Sequence, residues 1–281
     1  MSQAIPKTAK QWRITGYDGL DALKFTEEAI PILSDNQVLV QIQGASLNFR
    51  DIIIPLGKYP FSQKPNVVPG SDGAGTVLAV GKSVTRFKPG DKVVTILNQR
   101  HLAGSIDARS ADSGLGASID GTLRSIGAFD EQGLAKLLKR LGADYIINYQ
   151  ETPNWGEVAK ALTGGIGVHL VVEVAGVLTM KQSVASLKLD GIMSVVGFVG
   201  GEGNGADAPN LLDPWLKHYT ARGISVGSRQ QMEDMCLAIE ANLEKLRPII
   251  DSRVFKLDQL KEAYKYLQAG ENLGKVCIDT E

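Results

Sequence analysis

The hydrophobic pattern of this chain changes near residue 135, and the change predicts two kinds of architecture in one sequence. Before it, short segments such as Val38 to Ile42 alternate apolar and polar residues, and tight turns such as Lys88 to Asp91 separate them. After it, short apolar runs alternate with amphipathic segments, which is typical of strand–helix units around a parallel sheet. We therefore predict an α/β chain with a small β-rich, barrel-like domain followed by a doubly wound sheet.

The same patterns predict individual elements. The predicted strands of the β-rich part are 38–42, 76–80 and 92–97, and the Gly-, Ser-, Ala- and Asp-rich segment 98–121 is predicted to be a surface connector. In the second part the predicted strands are 145–149, 169–174, 192–198 and 223–226, and the predicted helices are 157–162, 180–187, 211–218 and 231–246. The tail from 249 to 281 is predicted to add a strand, a helix over 257–267 and a last strand over 275–278.

Composition excludes several function classes. The chain has 281 residues, of which 43% are hydrophobic and 22% charged, and this is enough for two modest cores in a soluble protein. The net charge of -1 provides no basic surface for nucleic acid. The first thirty residues, about the length of a signal peptide, mix charges with short apolar runs, so we expect no leader and no membrane segment. We expect a cytoplasmic protein with reduced thiols.

The possible metal ligands are few and scattered. The two cysteines are Cys236 and Cys277, and the three histidines are His101, His169 and His218. A structural zinc site usually draws four such ligands from short spacings, which this sequence does not offer. We therefore expect no metal, and we assign the histidines to solvated or hydrogen-bonded structural positions.

The glycine-rich stretch 68–81, VPGSDGAGTVLAVG, carries the first family resemblance. It resembles the turn in the catalytic domain of medium-chain dehydrogenases and reductases, the superfamily of zinc-type alcohol dehydrogenases and quinone oxidoreductases. Zinc-using members have Gly-His-Glu at this turn, whereas Ser71 and Asp72 follow Gly70 here. The resemblance thus implies a member without zinc. Ser71 and Asp72 are either plain turn residues or polar contacts to a substrate.

Six further motifs follow in the order of that superfamily, so that the resemblance covers nearly the whole chain. They are ASLNFRDIIIPLGKYP at 45–60, KLLKRLGADYIINY at 136–149, VVEVAG at 171–176, MSVVGFVGG at 193–201, RGISVGSR at 222–229 and ENLGKVCI at 271–278. The resemblance implies a GroES-like catalytic domain over 1–134, completed by 249–281, and a partial Rossmann domain over 135–248. It also implies a homodimer formed through the sheet edge near 222–229.

The glycine-rich turn that opens a dinucleotide-binding domain is missing. A strand, a glycine turn and a helix N-terminus normally receive the pyrophosphate. Here the sequence passes from GTLRSIGAFDEQGL directly to AKLLKRLGADYIINY, which resembles the third Rossmann strand and its preceding helix. Something on the order of 60 residues, about two strand–helix units, is absent by comparison with the family. The junction lies between Leu134 and Ala135 or near Ser125.

Two explanations of this gap compete: a gene model or splice form that skipped an exon, and a real variant without ordinary cofactor binding. We favour the first, because a shortened sheet leaves paired edges and apolar faces exposed. Sequencing the transcript across the junction distinguishes them. The segment from Gly201 to Ala206 formally matches G-x-G-x-x-A, but Pro209 and its neighbours do not begin an apolar-faced helix, so we reject it as a pyrophosphate site.

The resemblance implies four catalytic candidates, which are Asn48, Arg50, Asp51 and Tyr59. Without zinc, hydrogen-bond donors must stabilise the charge that develops on the substrate oxygen, and Asn48, Arg50 and Tyr59 can donate. Asn48 is also expected on the nicotinamide side. Asp51 is expected to hold Arg50 or a backbone group. For Tyr59, packing beside Pro60 is the alternative role.

The remaining cofactor candidates follow predicted parallel strands, where ligands of such sheets bind, except for Lys275, which begins the last strand. They are Val174, Ala175, Gly176, Gly197, Phe198, Val199, Ser228, Arg229 and Lys275. Lys275, after Gly274, matches a family contact but is also compatible with a surface charge. The family implies hydride transfer between NADP, or NAD, and a carbonyl, quinone or activated alkene of a small molecule. The alternatives are an alcohol dehydrogenase for small alcohols or aldehydes and a catalytically silent truncated form.

Overall fold

The computed structural model describes residues 5–135, 147, 149, 151–201, 203 and 208–280. They divide into two compact units. The first contains the described residues up to 135 together with those from Val226 onward, and the second contains the described residues from 147 to Ser225. No helix in these ranges has the length and apolarity needed to cross a bilayer.

Twelve strands and seven α-helices are described. In chain order the strands are β1 Thr8–Ile14, β2 Leu23–Ala29, β3 Gln37–Ser46, β4 Asp72–Val80, β5 Lys92–Thr95, β6 Ile126–Asp130, β7 Leu134–Ala135, β8 Val168–Glu173, β9 Leu187–Val195, β10 Tyr219–Gly223, β11 Ile250–Lys256 and β12 Lys275–Asp279. The helices are α1 Phe49–Ile53, α2 Ala108–Ala111, α3 Trp155–Leu162, α4 Val177–Ser186, α5 Asp213–Leu216, α6 Arg229–Ala241 and α7 Leu260–Ala269.

A seven-stranded sheet forms the frame of the first unit. Its order is β11-β12-β3-β4-β5-β7, and β6 also pairs with β3. The alternation that predicted a strand at 38–42 places Val38, Val40 and Ile42 in the core, each at most 1% exposed. The predictions for 76–80 and 92–97 are also confirmed, since β4 and β5 pair antiparallel around the turn at Lys88 to Asp91.

Two glycines explain why the stretch 68–81 must be glycine-rich. A Cβ on Gly75 would lie 2.1 Å from the carbonyl oxygen of Gln41 on the neighbouring strand. Gly70 has φ +88°, and its Cβ would lie 2.7 Å from side-chain atoms of Thr122 and Leu123. Close strand packing and a left-handed turn thus fix this stretch, which leads from the turn at Gly70 into β4.

The segment 98–121 is more than the predicted surface connector. Asn98, Gln99 and His101 are at most 5% exposed, and Leu115 and Ala117 are 1% exposed. The segment folds back on itself: the Gln99 N–H donates to the Ser113 carbonyl, and the Leu115 N–H donates to the Leu97 carbonyl. These local backbone hydrogen bonds permit burial without a hydrophobic period, so the prediction was wrong for this part.

The tail returns to the first unit as predicted. Strand β12 pairs antiparallel with β3, with Ile278 opposite Ala45, and helix α7 packs against α1, β11 and β12. Helix α6, which we assigned to the partial Rossmann domain, lies in the first unit. The Arg229 N–H donates to the His101 carbonyl at 2.8 Å, and Arg86 pairs with Glu233. The sequence-based domain limits differ here from the division in the structure and stay a prediction.

The second unit contains a parallel sheet of order β10-β9-β8 in its described residues. Predicted strands 169–174 and 192–198 correspond to β8 and β9, although β9 starts and ends earlier, and 223–226 is displaced to β10. The predicted helix 211–218 is reduced to α5, where Pro214 stands in the first turn. The predicted strand 145–149 falls mostly outside the described residues, as does much of the rejected glycine segment 201–206.

The two faces of this short sheet differ in burial. Val171, Met193 and Val195 pack with Val184 and Leu187, so helix α4 covers their face. On the opposite face Leu170 is 54% exposed, Val172 58% and Ile192 45%. A parallel sheet is normally covered on both faces. Among the described residues of the second unit, one face of the parallel sheet therefore leaves apolar side chains exposed.

Candidate active site

The end of strand β3 and the start of helix α1 present three of the four predicted catalytic residues. The Asn48 N–H donates to the Asp51 carboxylate at 2.8 Å, and the Asp51 N–H donates to the Asn48 carbonyl at 3.0 Å. These reciprocal bonds start the helix, because they satisfy backbone groups that a helix N-terminus leaves open. Asn48 and Asp51 are thereby held on a fixed backbone.

Lys275 joins this group from the other end of the chain. Its ammonium nitrogen lies 2.5 Å from the Asn48 side-chain oxygen and 3.0 Å from the Asp72 carboxylate. The residue before it, Gly274, has φ +128°, and a Cβ there would lie 2.7 Å from the Ile249 carbonyl oxygen. A glycine is therefore required for β12 to begin at Lys275. The ammonium is held between two partners, which is more than a free surface charge.

Asp72 anchors the position that follows the glycine turn. It accepts hydrogen bonds from Ser46 at 2.8 Å and Ser71 at 3.3 Å. Burial raises the pKa of Asp72, but the charge of Lys275 and hydrogen bonds from Asn48, Lys275 and Ser46 outweigh it, so that this pKa lies below its ordinary value. Asp72 is thus ionised at neutral pH and holds Lys275. No sequence pattern predicted that Asp72 and Lys275 pair, because they lie on strands far apart in the chain.

Arg50 and Tyr59 contact each other. Arg50 Nε lies 3.3 Å from the Tyr59 hydroxyl, and the guanidinium carbon lies 4.8 Å from the centre of the Tyr59 ring. Arg50 Nη1 also donates to the Leu115 carbonyl at 2.8 Å. Tyr59 packs at the edge of the main core as well. The structure thus combines the packing role of Tyr59 with a contact to a catalytic candidate.

Asp51 is almost fully buried, at 1% exposure. Burial raises the pKa of Asp51 to about 6, although Arg50, the Asn48 N–H and Lys275 favour its charged form. The nearest Arg50 nitrogen is 3.9 Å from the carboxylate. As expected, Asp51 faces both Arg50 and a backbone group.

In the second unit, the structure brings together the cofactor candidates that follow β8 and β9. The Val199 N–H donates to the Val174 carbonyl at 3.2 Å, and the Gly200 N–H donates to the Ala175 carbonyl at 2.8 Å. Gly176 has φ +93°, and a Cβ there would lie 2.9 Å from the Phe198 Cα. Val174, Phe198 and Val199 are each about half exposed. The two loops form one exposed ridge of small and apolar residues at the carboxyl ends of the strands.

Ser228 and Arg229 lie in the first unit. The Ser228 hydroxyl accepts from the Gln231 N–H at 3.3 Å, and the Ser228 N–H donates to the Gln231 side chain at 2.8 Å. Arg229 donates to the Gln132 side chain. The pair therefore starts α6, and the S-x-x-Q spacing was the sequence signal for this capping box. A cofactor role for Ser228 and Arg229 stays a prediction.

The N-terminus of α4 is filled by a carboxylate of the protein itself. Glu173 is 3% exposed and accepts from the Gly176 N–H at 2.8 Å, the Thr179 hydroxyl at 2.8 Å and the Ser183 hydroxyl at 2.5 Å. A helix N-terminus attracts anions, and here Glu173 takes that place. The N-terminus of α4 is therefore not available to a pyrophosphate.

Metal ligands are also absent as a group from the ranges that the structure describes. There, no cluster of three or more His, Cys, Asp or Glu side chains is arranged to hold an ion. The absence of zinc from the working protein stays a prediction.

Comparisons with known proteins identify the family. Residues 34–139 match the alcohol dehydrogenase GroES-like domain, and residues 116–241 match the zinc-binding dehydrogenase family. A zinc-type alcohol dehydrogenase-like protein of Schizosaccharomyces pombe is 31% identical, over 92% of this chain and 96% of that protein. The chain belongs to the medium-chain dehydrogenase/reductase superfamily. The α/β fold, with a GroES-like part and a Rossmann-like part, is thereby confirmed.

Two further similarities lie within this superfamily. A quinone oxidoreductase of Lama guanicoe is 24% identical over 95% of this chain and 96% of its own length. The crystal structure of Escherichia coli quinone oxidoreductase complexed with NADPH superimposes with a TM-score of 0.76 at 18% identity, covering 96% of this chain and all of that one. This dehydrogenase/reductase is accordingly an NAD(P)-dependent oxidoreductase.

The alignments also bear on the missing segment. The alignment with the Schizosaccharomyces pombe protein spans 334 positions, which exceeds the 281 residues of this chain by 53. At least that many positions therefore have no residue of this chain. The shortfall is in line with the predicted loss, and its location at Leu134 stays a prediction.

Proposed function

We propose that this protein is a zinc-free, NADPH-dependent reductase that acts on a carbonyl, quinone or activated alkene of a small molecule. The observation that carries the proposal is the Lys275–Asn48–Asp72 cluster, which stands where zinc-using relatives are expected to place a metal ligand. The similarity to a quinone oxidoreductase supports the substrate class.

The nicotinamide, when bound, supplies the hydride. The residues of this chain would hold the substrate oxygen while negative charge develops on it. Lys275 and Arg50 are cationic donors, Asn48 has an amide donor, and the Tyr59 hydroxyl lies 3.3 Å from Arg50 Nε. Donors fixed in advance stabilise such a charge without reorganisation. Asp72 keeps the Lys275 ammonium in place.

The described residues fit one end of the cofactor and leave the other open. The loops 174–176 and 197–199 of the second unit would hold the nicotinamide end. For the pyrophosphate, the α4 N-terminus is not available, because the Glu173 carboxylate occupies it. Cofactor binding is therefore the property that separates a working reductase from a silent truncated form.

Titration of the 281-residue protein with NADPH, followed by nicotinamide fluorescence and compared with NADH, tests this first. Saturable binding with a preference for NADPH supports the proposal. A folded protein that binds neither dinucleotide supports the silent form. Assays with quinones, enones, aldehydes and alcohols then separate the reductase from the alternative alcohol dehydrogenase, because only the latter oxidises a small alcohol efficiently.

The Lys275→Met variant tests the cluster. Loss of one fixed donor at a developing oxyanion lowers the rate by about 10²-fold, and we expect a fall of that order in kcat/KM. The matched control is Lys82→Met, since Lys82 also pairs with an aspartate, Asp35, at 3.0 Å but is 78% exposed. Equal activity of both variants would remove Lys275 from the site.

We also propose a cytoplasmic location and a homodimeric state, both on family grounds. Fractionation of the native cell and light scattering of the purified protein test them.

A further inference from the structure

Helices α1 and α7 pack against each other, and three of their buried polar atoms have no hydrogen-bond partner in the protein. These atoms are Arg50 Nη2 and Asp51 Oδ1 of α1 and the hydroxyl oxygen of Tyr264 of α7. Asp51 and Tyr264 are each 1% exposed. Tyr264 belongs to the main hydrophobic core of the first unit.

Each buried polar atom without a hydrogen-bond partner destabilises a fold by about 1–3 kcal/mol. A molecule that hydrogen-bonds all three atoms would remove this cost. The three atoms are chemically complementary: the guanidinium can only donate, the carboxylate can only accept, and the hydroxyl can do both. One water molecule with two to four polar partners satisfies such a group, and buried waters occupy sites of this kind.

The electrostatics of the cluster fix the direction of the hydrogen bonds. Burial, and then the charge of Asp51, raise the pKa of Tyr264 well above its ordinary value, while Arg50 lowers it. Tyr264 therefore keeps its proton and can donate. Arg50 of α1, Asp72 of β4 and Lys275 of β12 are the other charged groups that act on Asp51. Tyr264 is not one of the site residues that were predicted from the sequence.

We propose that Tyr264 is a positioning residue of this active site, and that its hydroxyl, together with Arg50 and Asp51, binds one buried water molecule. The water accepts hydrogen bonds from Arg50 and Tyr264 and donates one to Asp51. It thereby holds Asp51 in the orientation that accepts the Asn48 N–H, and Asn48 in turn contacts Lys275. Helix α7 thus helps, through Asp51, to position the hydrogen-bond donors Asn48 and Lys275.

The test is the titration of Asp51 in the full-length protein, measured by NMR of ¹³C-labelled aspartate carboxyls. The Asp51→Asn variant assigns the resonance. A hydrogen bond to a carboxylate favours its charged form, so Tyr264→Phe should raise the pKa of Asp51, by about one unit. The matched control is Tyr266→Phe on the same helix, whose hydroxyl bonds Asp251 and the Glu271 carbonyl and lies outside the cluster.

Only the kinetic readout of this inference rests on the proposed function. When kcat/KM is measured as a function of pH, its acid limb should move to higher pH in Tyr264→Phe and stay unchanged in Tyr266→Phe. The NMR readout needs no turnover, so a protein without reductase activity still answers the question. An Asp51 pKa that is the same in wild type and Tyr264→Phe overturns the proposal. If Tyr264→Phe does not fold, a crystal structure of the wild type decides: water within hydrogen-bonding distance of all three atoms supports the proposal, and its absence overturns it.

Discussion

The two sheets of this protein differ in how fully their apolar side chains are buried. In the first unit Val40 and Ile42 of β3 are each 1% exposed. In the second unit Val172 of β8 and Ile192 of β9 carry the same types of side chain on strands, yet they are 58% and 45% exposed. A β-branched residue on a strand therefore does not by itself indicate a covered face. What differs is whether the chain supplies a second layer.

The exposed face of the second sheet agrees with the length of the alignment between this chain and its relative, which is longer than the chain itself. Helices on both faces are the rule for parallel sheets of this class. The second unit has α4 over one face, and at least 53 aligned positions of a relative have no counterpart in this chain. The predicted loss of two strand–helix units is consistent with both observations. The sheet of the first unit shows no such deficit at β3, where Val38, Val40 and Ile42 are buried.

The largest effect should come from truncating matched isoleucines in the two sheets. Ile42→Ala removes a fully packed side chain, and we expect it to destabilise the first unit by about 2–5 kcal/mol. Ile192→Ala removes a half-exposed side chain and should cost less than about 1 kcal/mol. Calorimetry with separate fitting of the unfolding transitions measures both. Equal losses would show that the face around Ile192 is covered in solution, for example by a second copy of the chain.

A smaller effect should follow from the buried carboxylate of the second unit. Glu173→Gln keeps the shape but replaces one acceptor oxygen by an amide donor, which then faces the Gly176 N–H or the Thr179 and Ser183 hydroxyls. We expect a loss of about 1–3 kcal/mol in the unfolding free energy of this unit. The control is Glu157→Gln on α3, an exposed position of the same unit. If both variants are equally stable, the polar contacts of Glu173 do not stabilise the junction between β8 and α4.

Much of the fold could be predicted from the sequence, because periodicity reports burial on one face. It located β3, β4, β5, α3 and α4 correctly. It failed at 98–121, where backbone hydrogen bonds rather than an apolar period accompany burial. It displaced β10, since Tyr219–Gly223 is mostly exposed and has no clear pattern.

The candidate site could be predicted only in part. The motif at 45–60 supplied Asn48, Arg50, Asp51 and Tyr59, which the structure places on or beside α1. The contacts between distant segments could not be foreseen: the pair of Lys275 with Asp72, and the packing of α7 against α1, depend on how β12 and α7 return to the sheet. Such contacts are tertiary, and no local spacing encodes them.

The smallest expected effect is a pH-dependent one at the edge of the first unit. Arg13 donates to Glu28 at 2.6 Å, and this hydrogen bond is the main cause that lowers the pKa of Glu28 from 4.5 to about 2, against an opposing effect of burial. A carboxylate with a lowered folded-state pKa stabilises the fold above its unfolded pKa, and the contribution is lost as the pH falls from about 4.5 towards 2. Because the Glu28 side chain is 40% exposed, solvent screening limits the effect to about 0.5–1 kcal/mol.

Glu28→Gln should therefore be less stable than wild type at neutral pH, and the difference should shrink towards zero as the solution is acidified below the unfolded pKa. Urea unfolding at a series of pH values measures it. Glu27→Gln, on the same strand but exposed, is the control and should show little change at any pH. A deficit for Glu28→Gln that persists unchanged in acid would mean that the neutral hydrogen bonds of Glu28, for instance with Thr26, carry the contribution instead of the ion pair with Arg13. This edge of the first unit would then depend on neutral hydrogen bonds rather than on charge.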